Sequence, residues 1–267
     1  MKFRFIPAAL LSVVALTLTG CSAANGDGAA TTDDSLSSVL DSGTLTIGTE
    51  GTYRPFSFHE DGSGELTGYD VEVARAVAAE LDVDAVFEET QWDGIFAGLT
   101  AGRWDTIANQ VSMTPERLEA YEFSTPYTYS TGVIVVPADN TSITSFASLA
   151  GLTTAQSLSS NWYALATESG ANVQSIEGWA QSVALVEQGR VDATVNDKLT
   201  FLDYQKTNGA DNLKIAAETE ERSESAFAFA KDGTALADAV SEALATLSDD
   251  GTLAAISDKY FGADVSQ

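Results

Sequence analysis

Arg117 stands in the stretch NQVSMTPER, residues 109–117, just past an apolar strand that ends in Asn109, Gln110, Val111 and Ser112. A strand tip leaves donors without ladder partners, and Thr114-Pro115-Glu116 reads as a helix start with proline in its first turn. The guanidinium therefore sits about one turn into a helix, beside those donors. Its planar fork can donate two parallel hydrogen bonds to a carboxylate, and Ser112 can add a hydroxyl or N–H. Asp197, at the tip of a later strand read in VDATVN, offers the opposite charge and can take an ammonium. Plainer roles stand beside these. Arg117 could pair with Glu116 or Glu119 on a solvated face, and Asp197 could cap the helix that opens KLTFLDYQK; capping and ligand binding are compatible. An Arg and an Asp presented from opposite sides of a cleft match the two ends of a free amino acid.

Such a cleft needs two bodies to form it, and the chain spells two. TLTIGT (44–49), DAVFEE (84–89) and WDTIAN (104–109) read as strands. Between them lie helical patterns, one capped by Asp70 with Val73, Val77 and Leu81 on one face, the other in IFAGLTAG. The same alternation restarts after residue 132 with VIVV, LTTAQS, a helix from Asn161, NVQSIE, AQSVALVEQG and VDATVN. Strand–helix alternation predicts an α/β fold of two lobes, each a mainly parallel sheet flanked by helices. GRWDTIANQ (102–110) and GRVDATVND (189–197) nearly repeat, which would place polar residues at the carboxyl end of an equivalent strand in both lobes, where open α/β sheets bind ligands. ESAFAFAKDG and the two helical stretches after it need a sheet to pack on, so the chain is expected to return to the first lobe. Lobe 1 is then 41–131 plus 227–267 and lobe 2 is 132–226. Two strand-like crossovers, near 129–133 and 223–227, join them as a hinge.

The 267 residues are 44% hydrophobic, enough for a substantial core, and carry 39 acidic against 13 basic side chains, a net charge of −26. That charge repels phosphates and anionic membrane surfaces, so nucleic acid is excluded as a partner while small neutral or zwitterionic molecules remain. An acidic surface also suits high salt or a cell-wall environment. Lys2 and Arg4, the apolar run Ala8 to Leu18 and Leu18-Thr19-Gly20 before Cys21 form a signal peptide over 1–20, too short to span a membrane. Cys21 is the only cysteine, which rules out an intramolecular disulfide, and its setting resembles the lipobox of bacterial lipoproteins, where this residue bears the lipid anchor. Cleavage there removes Lys2 and Arg4 and no acid, leaving 11 basic residues against 39 acidic, or −28. Residues 21–40 read as a flexible tether, with the fold beginning near Asp41.

GxxxxGK[ST], GxGxxG and GxSxG are all missing, so phosphate cradles and serine-nucleophile elbows have no support. His59, the only histidine, lies in the polar turn FSFHEDGSG and reads as a surface residue. No cofactor and no metal site are expected, and the chain is expected to act as a monomer.

GTEGTYRPFSF, LTGYDVEVARAVAAEL, ETQWDGIFAGLTAGRWD, MTPER, YEFSTPYTYS, GRVDATVND and DGTLAAISDKYFGADVSQ together resemble the extracytoplasmic solute-binding proteins of bacterial polar amino-acid ABC importers, from about Asp41 to the C-terminus. TQWDGIFAGL, NQVSMTPER and KYFGADV look closest to the cystine-binding branch. The resemblance implies the two-lobed periplasmic-binding-protein fold, a lipoprotein outside the cell membrane, a membrane ABC permease as partner, and cystine or a related polar amino acid as ligand. It puts the carboxylate-binding arginine on Arg117 with Gln110 and Ser112 beside it, and the ammonium-binding aspartate on Asp197. It also puts a packing aromatic on Tyr53, a pocket wall on Trp92, and carboxylate-binding N–H groups on Ser159-Ser160-Asn161. Ser159 stands where the family usually has glycine; if the position needs a positive φ, serine would be strained. The same two-lobed fold also resembles periplasmic prephenate- or arogenate-type dehydratases, for which Glu50 is the carboxyl that could serve as general acid, and an amino-acid sensor without transport is a further alternative on this fold.

Overall fold

The structure is a computed structural model that describes residues 33–267, so the signal peptide, Cys21 and the first part of the tether lie outside the described residues. The chain runs α1 (Ser35–Ser42), β1 (Thr44–Thr49), β2 (Thr52–Tyr53), β3 (Ser57–His59), β4 (Leu66–Thr67), α2 (Tyr69–Glu80), β5 (Asp84–Glu89) and α3 (Trp92–Thr100). It continues through β6 (Thr106–Ser112), α4 (Pro115–Ala120), β7 (Glu122–Phe123) and β8 (Thr128–Ser130), which end its first pass through lobe 1. Lobe 2 holds β9 (Gly132–Pro137), β10 (Thr153–Gln156), α5 (Asn161–Glu168), β11 (Asn172–Ser175), α6 (Gly178–Glu187), β12 (Thr194–Asp197), α7 (Lys198–Asn208) and β13 (Leu213–Glu218). β14 (Ser223–Phe229), α8 (Thr234–Asp249) and α9 (Thr252–Phe261) return to lobe 1.

The repeated phrase is structural. In lobe 1 the sheet order is β5-β1-β6-β14, with β1 parallel to β5 and β6, and β14 antiparallel. Lobe 2 repeats it as β11-β10-β12-β9: β10 is parallel to β11, a parallel bridge joins Thr154 to Ala193 just before β12, and β9 is antiparallel. The glycine ending each preceding helix takes a left-handed φ, +66° at Gly102 and +64° at Gly189. The aspartate shortly before each strand then docks in the same way. Asp105 accepts the Thr46 N–H at 2.8 Å, and Asp192 accepts the Thr153 N–H at 2.8 Å. Lobe 2 is less parallel than expected, because β9 is antiparallel to both β12 and β13. β9 is the strand by which the chain enters, and it arrives from the opposite direction.

Each lobe buries its own core. Leu45, Ile47, Val73, Val77, Phe227 and Val240 pack under α2 and α8 in the first, and Val133, Val135, Val183, Val186 and Phe201 pack around β9 in the second. Tyr53 packs against both cores. The crossovers run side by side: Ser130 pairs with Ser223, and Gly132 O accepts the Thr219 N–H at 2.8 Å. The second crossover is therefore 219–222, earlier than 223–227, because Ser223 already belongs to β14. A Cβ on Gly132 would lie 2.5 Å from the Trp162 ring, which explains glycine at this hinge strand.

Two local expectations change. The folded body starts before Asp41: α1 buries Val39, and Asp33 Oδ2 and Ser35 Oγ accept the first N–H groups of α8, from Ala235 and Leu236. Asp70 is not the cap of α2, whose N-cap position is Gly68; it lies in the first turn, fully buried.

Candidate functional site

The tip of β6 builds one side of the site. Gln110 adopts φ +50°, unusual for a residue with a Cβ, and Asp70 holds it there by accepting its backbone N–H at 2.6 Å and its Nε2 at 2.8 Å. Thr114 then caps α4 by accepting the Arg117 N–H at 3.3 Å. The arginine is almost wholly withdrawn from solvent. It is 9% exposed, its guanidinium 5.3 Å from the centre of the Trp92 ring and 5.1 Å from that of Phe96, and it makes no ion pair among the described residues. Nη1 donates to Ser112 O at 3.0 Å, and Nη2 crosses to lobe 2 to donate to Ser159 O at 3.3 Å. Burial pushes its pKa down to about 10, as expected of a desolvated cation with no carboxylate against it. The solvated-face reading of Arg117 is thus set aside.

Three carboxyls are buried as well. Asp197 is both cap and buried acid, its Oδ1 accepting from Leu199 N–H and Ser130 Oγ at 2.8 Å each. Burial raises its pKa to about 6, and raises Glu50 and Asp70 to about 7 each. The charge on Asp197 in turn helps to raise Asp70, and Asp197, Glu50 and Asp70 all add to the burial that keeps the Tyr53 phenol protonated.

These raised values set a pH dependence. An acid whose folded pKa exceeds its unfolded value, near 4, contributes stability that is complete below about pH 4 and is lost as pH rises through the folded pKa. Thermal melts without ligand should therefore show stability falling as pH rises toward about 6–7. Glu50→Gln should make that slope shallower, leaving the part due to Asp70 and Asp197; an unchanged slope in this variant would show that Glu50 contributes nothing to it.

Between the lobes lies a cavity lined from both sides. Of the residues singled out in the sequence, Glu50, Tyr53, Trp92, Gln110, Ser160 and Asn161 line it. The other three stand just behind this lining: Arg117 against Trp92, Ser112 at the Nη1 of Arg117, and Asp197 next to Asn196. Asn109, Gln156, Ser157, Trp162, Trp179 and Asn196 also line the cavity and were not singled out. Gln156-Ser157 was legible in principle, since LTTAQS ends at the carboxyl end of a lobe 2 strand. The tryptophans were not, because each sits on a helix where core packing explains it equally well.

The walls carry buried polar atoms without partners: Trp92 Nε1, Gln110 Oε1 and Gln156 Nε2. Glu50 accepts from Asn109 Nδ2 at 2.6 Å. The lobes touch across the cleft through Tyr53 Oη donating to Asn196 Oδ1 at 2.8 Å and Ser159 Oγ donating to Asp93 Oδ1 at 2.6 Å. Ser159 carries no positive φ, so the strain expected of serine there is absent and its hydroxyl instead bridges the lobes.

Two lobes, a hinge of paired crossovers and a cleft lined from both sides define a two-lobed solute-binding protein. Residues 45–263 match the model of the bacterial extracellular solute-binding proteins, family 3, and the chain belongs to that family. It is 47% identical over 263 residues to the L-cystine-binding protein TcyA of Bacillus subtilis, covering 97% of this chain and 98% of that one. It is 39% identical over 237 residues to the L-cystine-binding protein TcyJ of Escherichia coli, covering 87% and 88%. Among solved structures, the unliganded open L-cystine solute receptor of Neisseria gonorrhoeae is 44% identical over 87% of this chain and 99% of its own, with a TM-score of 0.59. An ancestral arginine-binding protein bound to arginine is 33% identical over 82% and 99%, with a TM-score of 0.77. The gonococcal receptor is unliganded and open, whereas Tyr53, Arg117 and Ser159 here bond across the cleft.

Proposed function

We propose that this extracytoplasmic protein is the substrate-binding receptor of an amino-acid ABC importer, and that L-cystine is what it captures. One observation carries the site reading: a buried guanidinium without an ion-pair partner and buried carboxyls without a cation flank one interlobe cavity. Burying unpaired charges is costly, and an amino acid supplies the missing partner of each. Arg117 takes the α-carboxylate with help from Ser112 and the Ser160-Asn161 helix start, whose N–H groups favour anions. Asp197 takes the α-ammonium. Trp92 and Tyr53 cover the ligand, and Glu50 with the amides at its side can meet polar groups at the far end.

The cystine assignment follows the names of the relatives. Calorimetry on refolded protein should show cystine binding that disappears when a reductant splits the ligand. Tight binding of glutamine, arginine or histidine with none of cystine would overturn the cystine assignment and leave the receptor reading. The relatives are named as binding proteins, and we read the chain as one rather than as a dehydratase using Glu50 as acid.

The proposal extends to the anchor. Cys21 bears lipid at the start of the mature chain, and Cys21→Ala should release the protein from membranes and abolish palmitate labelling. A labelled, membrane-bound alanine variant would refute this. The permease partner and the monomeric state belong to the same reading.

A further inference from the structure

Gln110 has one amide face committed and one open. Its Nε2 donates to Asp70 Oδ1 at 2.8 Å and to Thr128 Oγ1 at 3.0 Å, which uses both amide hydrogens. Its Oε1 is buried, has no hydrogen-bond partner, and belongs to a residue that lines the interlobe cavity. Asp70 is wholly buried and does not line that cavity. Both Asp70 oxygens accept N–H groups of Gln110, and an ionised carboxylate can only accept, so the amide turns its nitrogen toward Asp70 and its oxygen away. The second Asp70 oxygen accepts the Gln110 backbone N–H at 2.6 Å and keeps this residue in its left-handed conformation at the strand tip.

We infer that Asp70 is a positioning residue that sets the polarity of the binding site: it orients the Gln110 amide so that Oε1 is offered to a donor on the bound ligand. The group that suits this acceptor is the ammonium of an amino acid, lying near Asp197, whose charge is close enough to act on Asp70. This rests on reading the cavity as an amino-acid site. It adds a ligand contact by the Gln110 side chain and gives a residue remote from the ligand control over it.

The substitution Asp70→Asn reverses the polarity without changing shape. The introduced asparagine keeps the Gln110 backbone N–H on its Oδ1, so its Nδ2 faces the Gln110 amide. That amide must then turn over, offering Oε1 to the asparagine and Nε2 to the ligand's ammonium. Gln110→Glu alone sets two carboxylates face to face. The double variant Asp70→Asn with Gln110→Glu restores complementarity, because one oxygen of the introduced glutamate accepts from the introduced asparagine and the other faces the ligand.

The experiment is a calorimetric cycle on the full chain, wild type and the three variants, with L-cystine as probe and thermal melts to verify folding. If wild type binds a standard amino acid instead, that one becomes the probe, and the cystine assignment fails separately. Each single variant should lose about tenfold or more in affinity, the loss of one hydrogen bond to a charged group, and the double variant should return to within about threefold of wild type. A double variant no tighter than Asp70→Asn overturns the inference, since the loss of a merely structural Asp70 would not be rescued by a new charge at Gln110. Should Asp70→Asn not fold, Gln110→Met removes the acceptor directly; wild-type affinity in that variant overturns the inference as well. Wild type that binds no amino acid overturns both this inference and the site reading.

Discussion

Arg117→Ala is expected to weaken amino-acid binding by about thirty-fold to several thousand-fold, the cost of about 2–5 kcal/mol for removing one partner of a buried, hydrogen-bonded charge pair. The structure explains why the effect should be large. The guanidinium is already desolvated between Trp92 and Phe96, so no further burial is needed when a carboxylate arrives. Its Nη1 and Nη2 bonds to Ser112 O and Ser159 O hold the fork at the joint between β6 and the start of α5. Arg117→Lys keeps the charge but loses the planar fork and the stacking, and should recover little of the affinity. Titration of refolded protein with cystine measures both. An alanine variant within about threefold of wild type would mean that the arginine is structural and the carboxylate is held elsewhere.

Asp197 combines two roles that substitution can separate. Asp197→Ala removes the α7 cap, worth about 0.5–2 kcal/mol of stability, together with the acceptor for Ser130 Oγ and the counter-charge for an ammonium. Asp197→Asn keeps an oxygen for the Leu199 N–H, and asparagine caps helices as well as aspartate does. Its melting temperature should stay near wild type while affinity falls by a factor similar to that of Arg117→Ala. Melts and calorimetry on the two variants together decide the matter. An asparagine variant that binds as tightly as wild type would leave Asp197 as a cap alone.

The features legible in the chain follow from short-range rules. TLTIGT and DAVFEE are β1 and β5 to the residue, because short apolar or β-prone runs and flanking turn signals are local properties of the chain. The repeat GRWDTIANQ and GRVDATVND points to matching strand tips, and both tips supply the cleft, since the carboxyl ends of parallel strands gather on one side of a sheet. Charge opposition between Arg117 and Asp197 is legible from residue type and strand-tip position.

Other features depend on long-range contacts. α1 is hidden within a polar tether because SLSSVLDS is held by α8, about two hundred residues away, more than by its own propensity. Asp70 looks like a helix cap, yet its carboxylate serves Gln110, forty residues on, through an approach made only when α2 packs beside β6. Ser159 looks strained by its residue type, while its backbone avoids the left-handed region and its hydroxyl finds Asp93 across the cleft. Periodicity and residue chemistry act over a few positions, and so the two lobes, the strand tips and the opposed charges are written in the chain itself. Desolvation and hydrogen bonding depend on neighbours that are distant in the chain, and so only the folded arrangement fixes which walls face the ligand, which polar atoms lack partners and how far burial moves each carboxyl.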